Sequence, residues 1–401
     1  MVFCVTKRIQ KKMKKALLDI VLFCLKLLRI PRNVIILESV PDFSGSPKCI
    51  ADELKRRFGD KYRFFWAVEK EKKYLGNRRV LFFWGKTSLW DKVRKYFYLL
   101  RTAMIVDSNR PVKKICNKTI RIWTNHGGTL KKCRGYRQTI GPCDYVLSLS
   151  KDLAAVDWSL MEGLLKNKEN VLSLGHPAND EIFISRSLDD FWAAQGMQEW
   201  KRCKIIGWFP TFRQHQNNRA PSTEEIFPFG LPLIKTAEEL MELDAFLLEC
   251  NCYLVVQMHH SQKKQQSLEQ FQLKRIVSVS PQLKCDYGVS NANLMNAFDG
   301  LITDYSGAYH EYILLDRPIA VSIDDLEEYQ NKVGFCYDFF KYIKGFYLKN
   351  FSDLRRFVKE ISEGEDSSRS ERLVAKALLH QYSDNHSTQR VVDFISTQLD
   401  L

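Results

Sequence analysis

The sequence predicts an α/β protein made of two successive doubly wound units. Three observations carry this expectation. The chain has 401 residues, more than one typical core accommodates. From residue 34 onward, short apolar runs alternate with longer amphipathic stretches, the pattern of parallel strands covered by helices on both faces. The alternation breaks near residues 180–187 and then begins again.

In the first series the expected strands are 34–37, 62–68, 79–83, 103–106, 119–123, 145–149 and 171–174, with helices such as 48–57 and 88–100 between them. In the second they are 204–209, 252–257, 276–279, 300–303 and 318–322, with helices at 233–249, 291–297 and 306–315. The tail 352–399 reads as helices punctuated by Ser, Asp and Asn. The expected division is a basic segment 1–32, a Rossmann-like unit 33–185 and a second Rossmann-like unit 186–401. In such sheets ligands sit beyond the carboxyl ends of the strands, so functional residues are sought just after strands.

Hydrophobic residues make up 45% of the chain and charged residues 27%, which excludes a disordered polymer. The net charge of +14 is uneven: residues 1–35 hold nine Lys/Arg and one acid, Asp19. On a helical wheel Asp19, Lys26 and Arg29 of the stretch 16–30 share one sector with the preceding Lys15, and the rest of the circumference is apolar. Those charges make a poor transmembrane span. Preceded by the basic run 8–15, the stretch has the pattern of a helix lying in an anionic membrane interface. A first core helix with a solvated basic lead-in is the competing reading. No aromatic or Gly-rich module accompanies the charge, so nucleic acid is not an expected partner. The eleven cysteines lack metal-type spacing, the closest pair being Cys250 and Cys252. They read as free thiols, and no metal or cofactor is expected.

The strand 119–123 runs into Thr124-Asn125-His126-Gly127-Gly128-Thr129-Leu130-Lys131-Lys132. A neutral imidazole at a strand end can take a proton from an attacking hydroxyl near neutral pH. Gly127 and Gly128 let a ligand approach the backbone, and Lys131 and Lys132 supply charge for phosphates. A histidine in a tight turn beside a solvated lysine pair has the same spacing. Gly175-His176-Pro177-Ala178-Asn179-Asp180 falls where the first unit ends and reads as a linker. After the strand 204–209 come Thr211 and Arg213; the arginine is either a phosphate fork or a surface residue. After the strand 252–257 come His259 and His260, which alternate in direction, so one can face a cleft.

The most informative run is Ile302-Thr303-Asp304-Tyr305-Ser306-Gly307-Ala308-Tyr309-His310-Glu311. It reads as a buried strand, a turn and a helix start. Ser306 is placed to cap the helix, whose free N–H groups can hold a pyrophosphate. Glu311 is placed to accept hydrogen bonds from a ribose. An ordinary capped helix has the same pattern.

Taken together, these runs resemble the CDP-glycerol glycerophosphotransferases of teichoic acid synthesis. The family's Trp-His-Gly-Thr-Pro-Leu-Lys-Lys stretch is similar to Asn125–Lys132, and its Gly-Tyr-Pro-Arg-Asn-Asp stretch to Gly175–Asp180. Its Ala-Pro-Thr-Trp-Arg is similar to Phe209–Arg213, its His-Pro to His259-His260, and its Ile-Thr-Asp-Tyr-Ser-Ser to Ile302–Gly307. Two further runs, Leu314–Ile319 and Gly334–Asp338, also resemble family stretches. The likeness extends from about residue 36 to residue 345, and its order matches. The chain departs from the pattern at Asn125, Gly128, Thr129, His176, Ala178, His260 and Gly307.

The resemblance implies a glycosyltransferase B (GT-B) architecture with the active site between the two units. It implies transfer of a polyol phosphate from CDP-glycerol or CDP-ribitol to a hydroxyl of a lipid-linked polymer acceptor, with release of CMP. It makes His126 the general base and His259 a second catalytic residue, with Arg213 beside it neutralising the transferring phosphoryl group. Thr211, Thr303, Asp304, Ser306, Gly307 and Glu311 would bind the donor, and Gly127, Lys131 and Lys132 the acceptor or its phosphates. The expected location is peripheral, at the cytoplasmic face of the membrane. Alternatives are a nucleotide-sugar glycosyltransferase on the same fold and an inactive membrane-bound scaffold.

Overall fold

A computed structural model describes residues 31–125, 130–132, 140–211, 213, 227–258, 267–399 and 401. Residues 1–30, which carry the expected basic helix, lie outside them. Among the described residues no helix is long and apolar enough to cross a membrane.

The first half forms a parallel sheet from β1 (Val34–Glu38), β2 (Arg63–Glu69), β3 (Val80–Trp84), β4 (Thr102–Asp107), β5 (Ile120–Trp123), β6 (Tyr145–Leu147) and β7 (Val171–Leu172). Their spatial order is β3-β2-β1-β4-β5-β6-β7. The second half forms a parallel sheet from β8 (Lys204–Phe209), β9 (Cys252–Val256), β10 (Ile276–Ser278), β11 (Gly300–Thr303), β12 (Ile319–Ser322) and β13 (Phe346–Leu348). Its order is β10-β9-β8-β11-β12-β13. Both sheets therefore reverse direction beside their first strand, the doubly wound order that leaves a crevice at the reversal.

The strands form because they are apolar on both faces. Val34–Glu38, Thr102–Asp107 and Cys252–Val256 are buried at every position, as parallel strands between two helical layers must be. The intervening helices carry local start signals. Ser88 and Asp91 form a capping box on the helix Leu89–Leu100, and Thr236 and Glu239 form another on Ala237–Glu249. In β8, Gly207 is needed for packing: a Cβ there would stand 2.2 Å from the Phe298 ring.

Two elements depart from the expectations. The strand β13 is an edge strand of three residues, too short to give an alternating signal. The expected helix 306–315 is a five-residue helix, Ala308–Tyr312, followed by a 3₁₀ turn, Ile313–Leu315. The C-terminal helix Ser387–Gln398 leaves the second half. Its Val391, Val392 and Ile395 pack into one core with Ile35, Leu37, Met104 and Val106 of the first sheet.

Candidate active site

The crevice at the reversal of the second sheet is built by a buried ion cluster. Asp304 directly follows β11 and is fully buried. Both of its oxygens accept from the Thr211 backbone N–H at 3.0 Å. Arg213 donates through Nη1 to Asp304 at 2.8 Å and to the Thr211 carbonyl at 3.0 Å. Its Nε and Nη2 donate to the two oxygens of Asp325 at 2.5 and 3.1 Å. The Tyr305 hydroxyl donates to Asp325 at 2.8 Å. The guanidinium lies 5.0 Å from the Tyr305 ring and 5.4 Å from that of Tyr329. Burial works against the charge on Arg213, but Asp304 and Asp325 outweigh it and raise its pKa. Burial, and then Asp325, raise that of Tyr305.

This arrangement redirects three of the expected donor residues. Arg213 is 1% exposed and forks onto Asp325 instead of a phosphate. The Asp304 carboxylate is held by Thr211 and Arg213. Thr303 is buried within β11, and its hydroxyl donates to the Phe209 carbonyl of β8 at 3.0 Å. All three side chains thus bond to other residues of the second half.

Thr211 sits where the two halves of the chain meet. Lys131 reaches across from the first half, its Nζ donating to the Thr211 hydroxyl at 3.4 Å. The segment carrying Lys131 is itself fixed to the second half. Lys131 forms an antiparallel bridge with Phe335, the Lys132 N–H donates to the Gly334 carbonyl at 3.1 Å, and the Cys336 N–H donates to the Leu130 carbonyl at 2.9 Å. Lys132 is exposed and borders a cavity of about 540 Å³ together with Gln330, Asn331 and Asp338.

Ser306 and Gly307 lie at the turn after β11. The Ser306 hydroxyl accepts from the Ala308 N–H at 3.3 Å, while Gly307 occupies the N-cap position. Five helical residues align little more than one turn of peptide dipoles, so the positive field at this turn is smaller than the sequence reading assumed. A Cβ on Gly307 would meet nothing within 4 Å, and its φ is an ordinary helical −59°. The departure from the family serine is thus sterically neutral.

Glu311 has, among the described residues, no hydrogen-bond or ion-pair partner. The residue is half-buried, and partial desolvation lifts its carboxyl from the ordinary 4.5 to about 7. Such a group is a functional-site candidate on physical grounds.

His126, Gly127 and His259 lie outside the described residues. The chain on either side of His126 and Gly127 is described, and it ends at Asn125 and resumes at Leu130. Two contributors escaped the sequence reading. Asp325 belongs to no motif, and its pairing with Arg213 exists only through the fold. His176, read as part of a linker, is buried and hydrogen-bonded to the carbonyls of Thr124 and Asn125.

Comparison with known proteins decides the family. The model of the family described as CDP-Glycerol:Poly(glycerophosphate) glycerophosphotransferase matches residues 21–397. The chain belongs to this family. It is 29% identical over 245 residues to a teichoic acid ribitol-phosphate primase of Bacillus spizizenii, covering 59% of this chain and 56% of the primase. The match thus spans just over half of that relative. It is 26% identical to a teichoic acid poly(glycerol phosphate) polymerase of the same species, covering 80% of this chain and 82% of the polymerase. In fold it is similar to a variant of the wall teichoic acid polymerase TagF, with a TM-score of 0.70 at 17% identity, covering 100% of this chain and 98% of the other.

Two expected outcomes follow from the geometry. Arg213→Ala leaves Asp304 and Asp325 buried without their cation and should cost about 3–5 kcal/mol of stability. Urea unfolding measures this, and an unchanged midpoint would show that the cluster does not support the fold. Glu311 keeps its proton to higher pH when folded than when unfolded, so it lowers stability as pH rises from about 4.5 to about 7. Glu311→Gln should therefore gain about 1–2 kcal/mol over the wild type between pH 5 and pH 8, after allowance for solvent contact. Parallel unfolding curves at both pH values, with no differential gain, would refute the desolvated carboxylate.

Proposed function

We propose that this chain transfers a polyol phosphate from a CDP-activated donor to a hydroxyl of a lipid-linked acceptor and releases CMP. The observation that carries the proposal is the meeting of Lys131 and Thr211 at 3.4 Å. It joins the segment that follows the candidate base to the crevice at the reversal of the second sheet, in a chain of the glycerophosphotransferase family. The architecture we assign is GT-B, with units 33–185 and 186–401 flanking the crevice, the helix Ser387–Gln398 of the second returning to the first.

In the proposed step His126 takes the proton of the acceptor hydroxyl. The freed oxygen attacks the phosphorus that bears the polyol. The bond from that phosphorus to the bridging oxygen breaks, CMP leaves with the bridging oxygen, and a phosphodiester remains. Lys131, Lys132 and His259 offset negative charge on the transferring group and on CMP, the electrostatic work that dominates phosphoryl transfer. Ser306, Gly307 and the Thr211 hydroxyl face the donor phosphates, and Glu311 accepts from the ribose. We assign Arg213, Thr303 and Asp304 to holding these groups in place. Glycerol and ribitol are both admissible polyols.

The N-terminal segment completes the proposal. Nine Lys/Arg in residues 1–35 suit a helix held at an anionic, cytoplasmic membrane surface, where a lipid-linked acceptor resides. Removal of residues 1–30 should abolish cosedimentation with anionic vesicles while leaving donor turnover in detergent intact. Vesicle binding that survives the truncation would disprove the anchor.

The activity is tested by incubating the purified protein with CDP-glycerol or CDP-ribitol and a hydroxyl-bearing glycolipid acceptor. CMP and a phosphodiester product are expected, and His126→Ala should lower turnover by about 10²–10⁴-fold. Release of UDP from nucleotide sugars alone would establish the glycosyltransferase alternative instead. Full turnover by His126→Ala would remove the base.

A further inference from the structure

We propose that His176 is a positioning residue for the transfer step, an inference that rests on His126 as the general base. Its Nε2 proton fixes the two carbonyls that immediately precede His126.

His176 is 7% exposed, and its Nε2 lies 2.9 Å from the Thr124 carbonyl and 3.3 Å from the Asn125 carbonyl. Carbonyl oxygens only accept, so Nε2 carries the proton. Nδ1 lies 3.3 Å from the Ser46 hydroxyl oxygen. That oxygen accepts from the Ala178 N–H at 3.1 Å, which leaves its own proton for Nδ1. The neutral imidazole with its proton on Nε2 satisfies all of these contacts at once.

The imidazole stands on a rigid support. Gly175 adopts a left-handed φ of +82°, and a Cβ there would stand 2.5 Å from the Ser387 hydroxyl oxygen, so the turn is pressed against the C-terminal helix. Asp180 accepts from the Ser387 and Thr388 N–H groups of that helix at 2.9 and 2.7 Å. Ser46 is itself buried in the first turn of the helix Gly45–Phe58. The Gly175–Asp180 run thus ties two parts of the first half to each other and to the C-terminal helix, more than a linker requires.

The backbone that His176 holds is strained. Asn125 has a φ of +59°, a left-handed conformation that costs an ordinary L-residue roughly 1–2 kcal/mol and that asparagine tolerates better than most. The direction in which the chain leaves Asn125 depends on keeping this conformation, and His176 binds its carbonyl. Downstream, Leu130 to Lys132 are clamped by Phe335, Gly334 and Cys336. Thr124 and Asn125 are thus held by the first half, and Leu130 to Lys132 by the second.

The test compares His176→Phe, which removes the donor, with His176→Gln, which restores an N–H near the Nε2 position. Each is assayed for CMP release and for amide hydrogen exchange across 124–132. His176→Phe should lower kcat about 10–100-fold with KM for the CDP donor within about threefold, and should speed exchange; His176→Gln should recover most of both. Unchanged exchange in His176→Phe would overturn the brace, and faster exchange with unchanged kcat would overturn its part in the reaction. An equal loss in both variants would mean that packing, not the hydrogen bond, matters, and would also overturn it. Should His176→Phe fail to fold, Ser46→Ala removes the Nδ1 partner, together with the acceptor of the Ala178 N–H, and carries the same readouts at smaller amplitude. A wild type that releases no CMP from either polyol donor defeats the transferase reading itself. An active wild type with unaltered variants defeats the role of His176 alone.

Discussion

The site depends on one buried cation. Arg213 lies buried between Asp304 and Asp325 in an aromatic-lined interior, where an unpaired charge would be untenable. That requirement joins three separate stretches of the second half: the loop after β8, the turn after β11 and the segment after β12. Because Asp304 also holds the Thr211 N–H, the cluster fixes the residue that receives Lys131 from the first half. A surface ion pair of the same composition would stabilise little and position nothing. Here the low dielectric makes the geometry strict.

The fold was largely legible in the sequence. Val34–Glu38, Cys252–Val256 and Gly300–Thr303 are continuous apolar runs, and burial on both faces is what makes such runs readable. Phe346–Leu348 was not, because three residues at a sheet edge carry no period. The return of Ser387–Gln398 to the first sheet was also invisible. Amphipathicity shows that a helix has a core face, but not which core receives it.

The site was legible in kind but not in role. Several of the runs at strand ends come together, since the topology brings Thr211, Asp304 and Ser306 to one reversal point. The sequence could not separate residues that face the crevice from those that build it. Arg213 and a phosphate-binding arginine look alike until Asp325, distant in the chain, is seen to occupy the fork. His176 was hidden for a related reason. A histidine flanked by Gly and Pro has the signature of a turn, and only three-dimensional proximity reveals that its ring grips the backbone ahead of His126.

The homecoming of the C-terminal helix has a consequence for biosynthesis. Val391, Val392 and Ile395 pack in one core with residues of β1 and β4, so the core of the half translated first is incomplete until residues 391–395 have been synthesised. The second half can wind its own sheet while that gap persists. A first sheet formed before then would present an uncovered apolar face, the kind of surface that promotes association between incomplete chains.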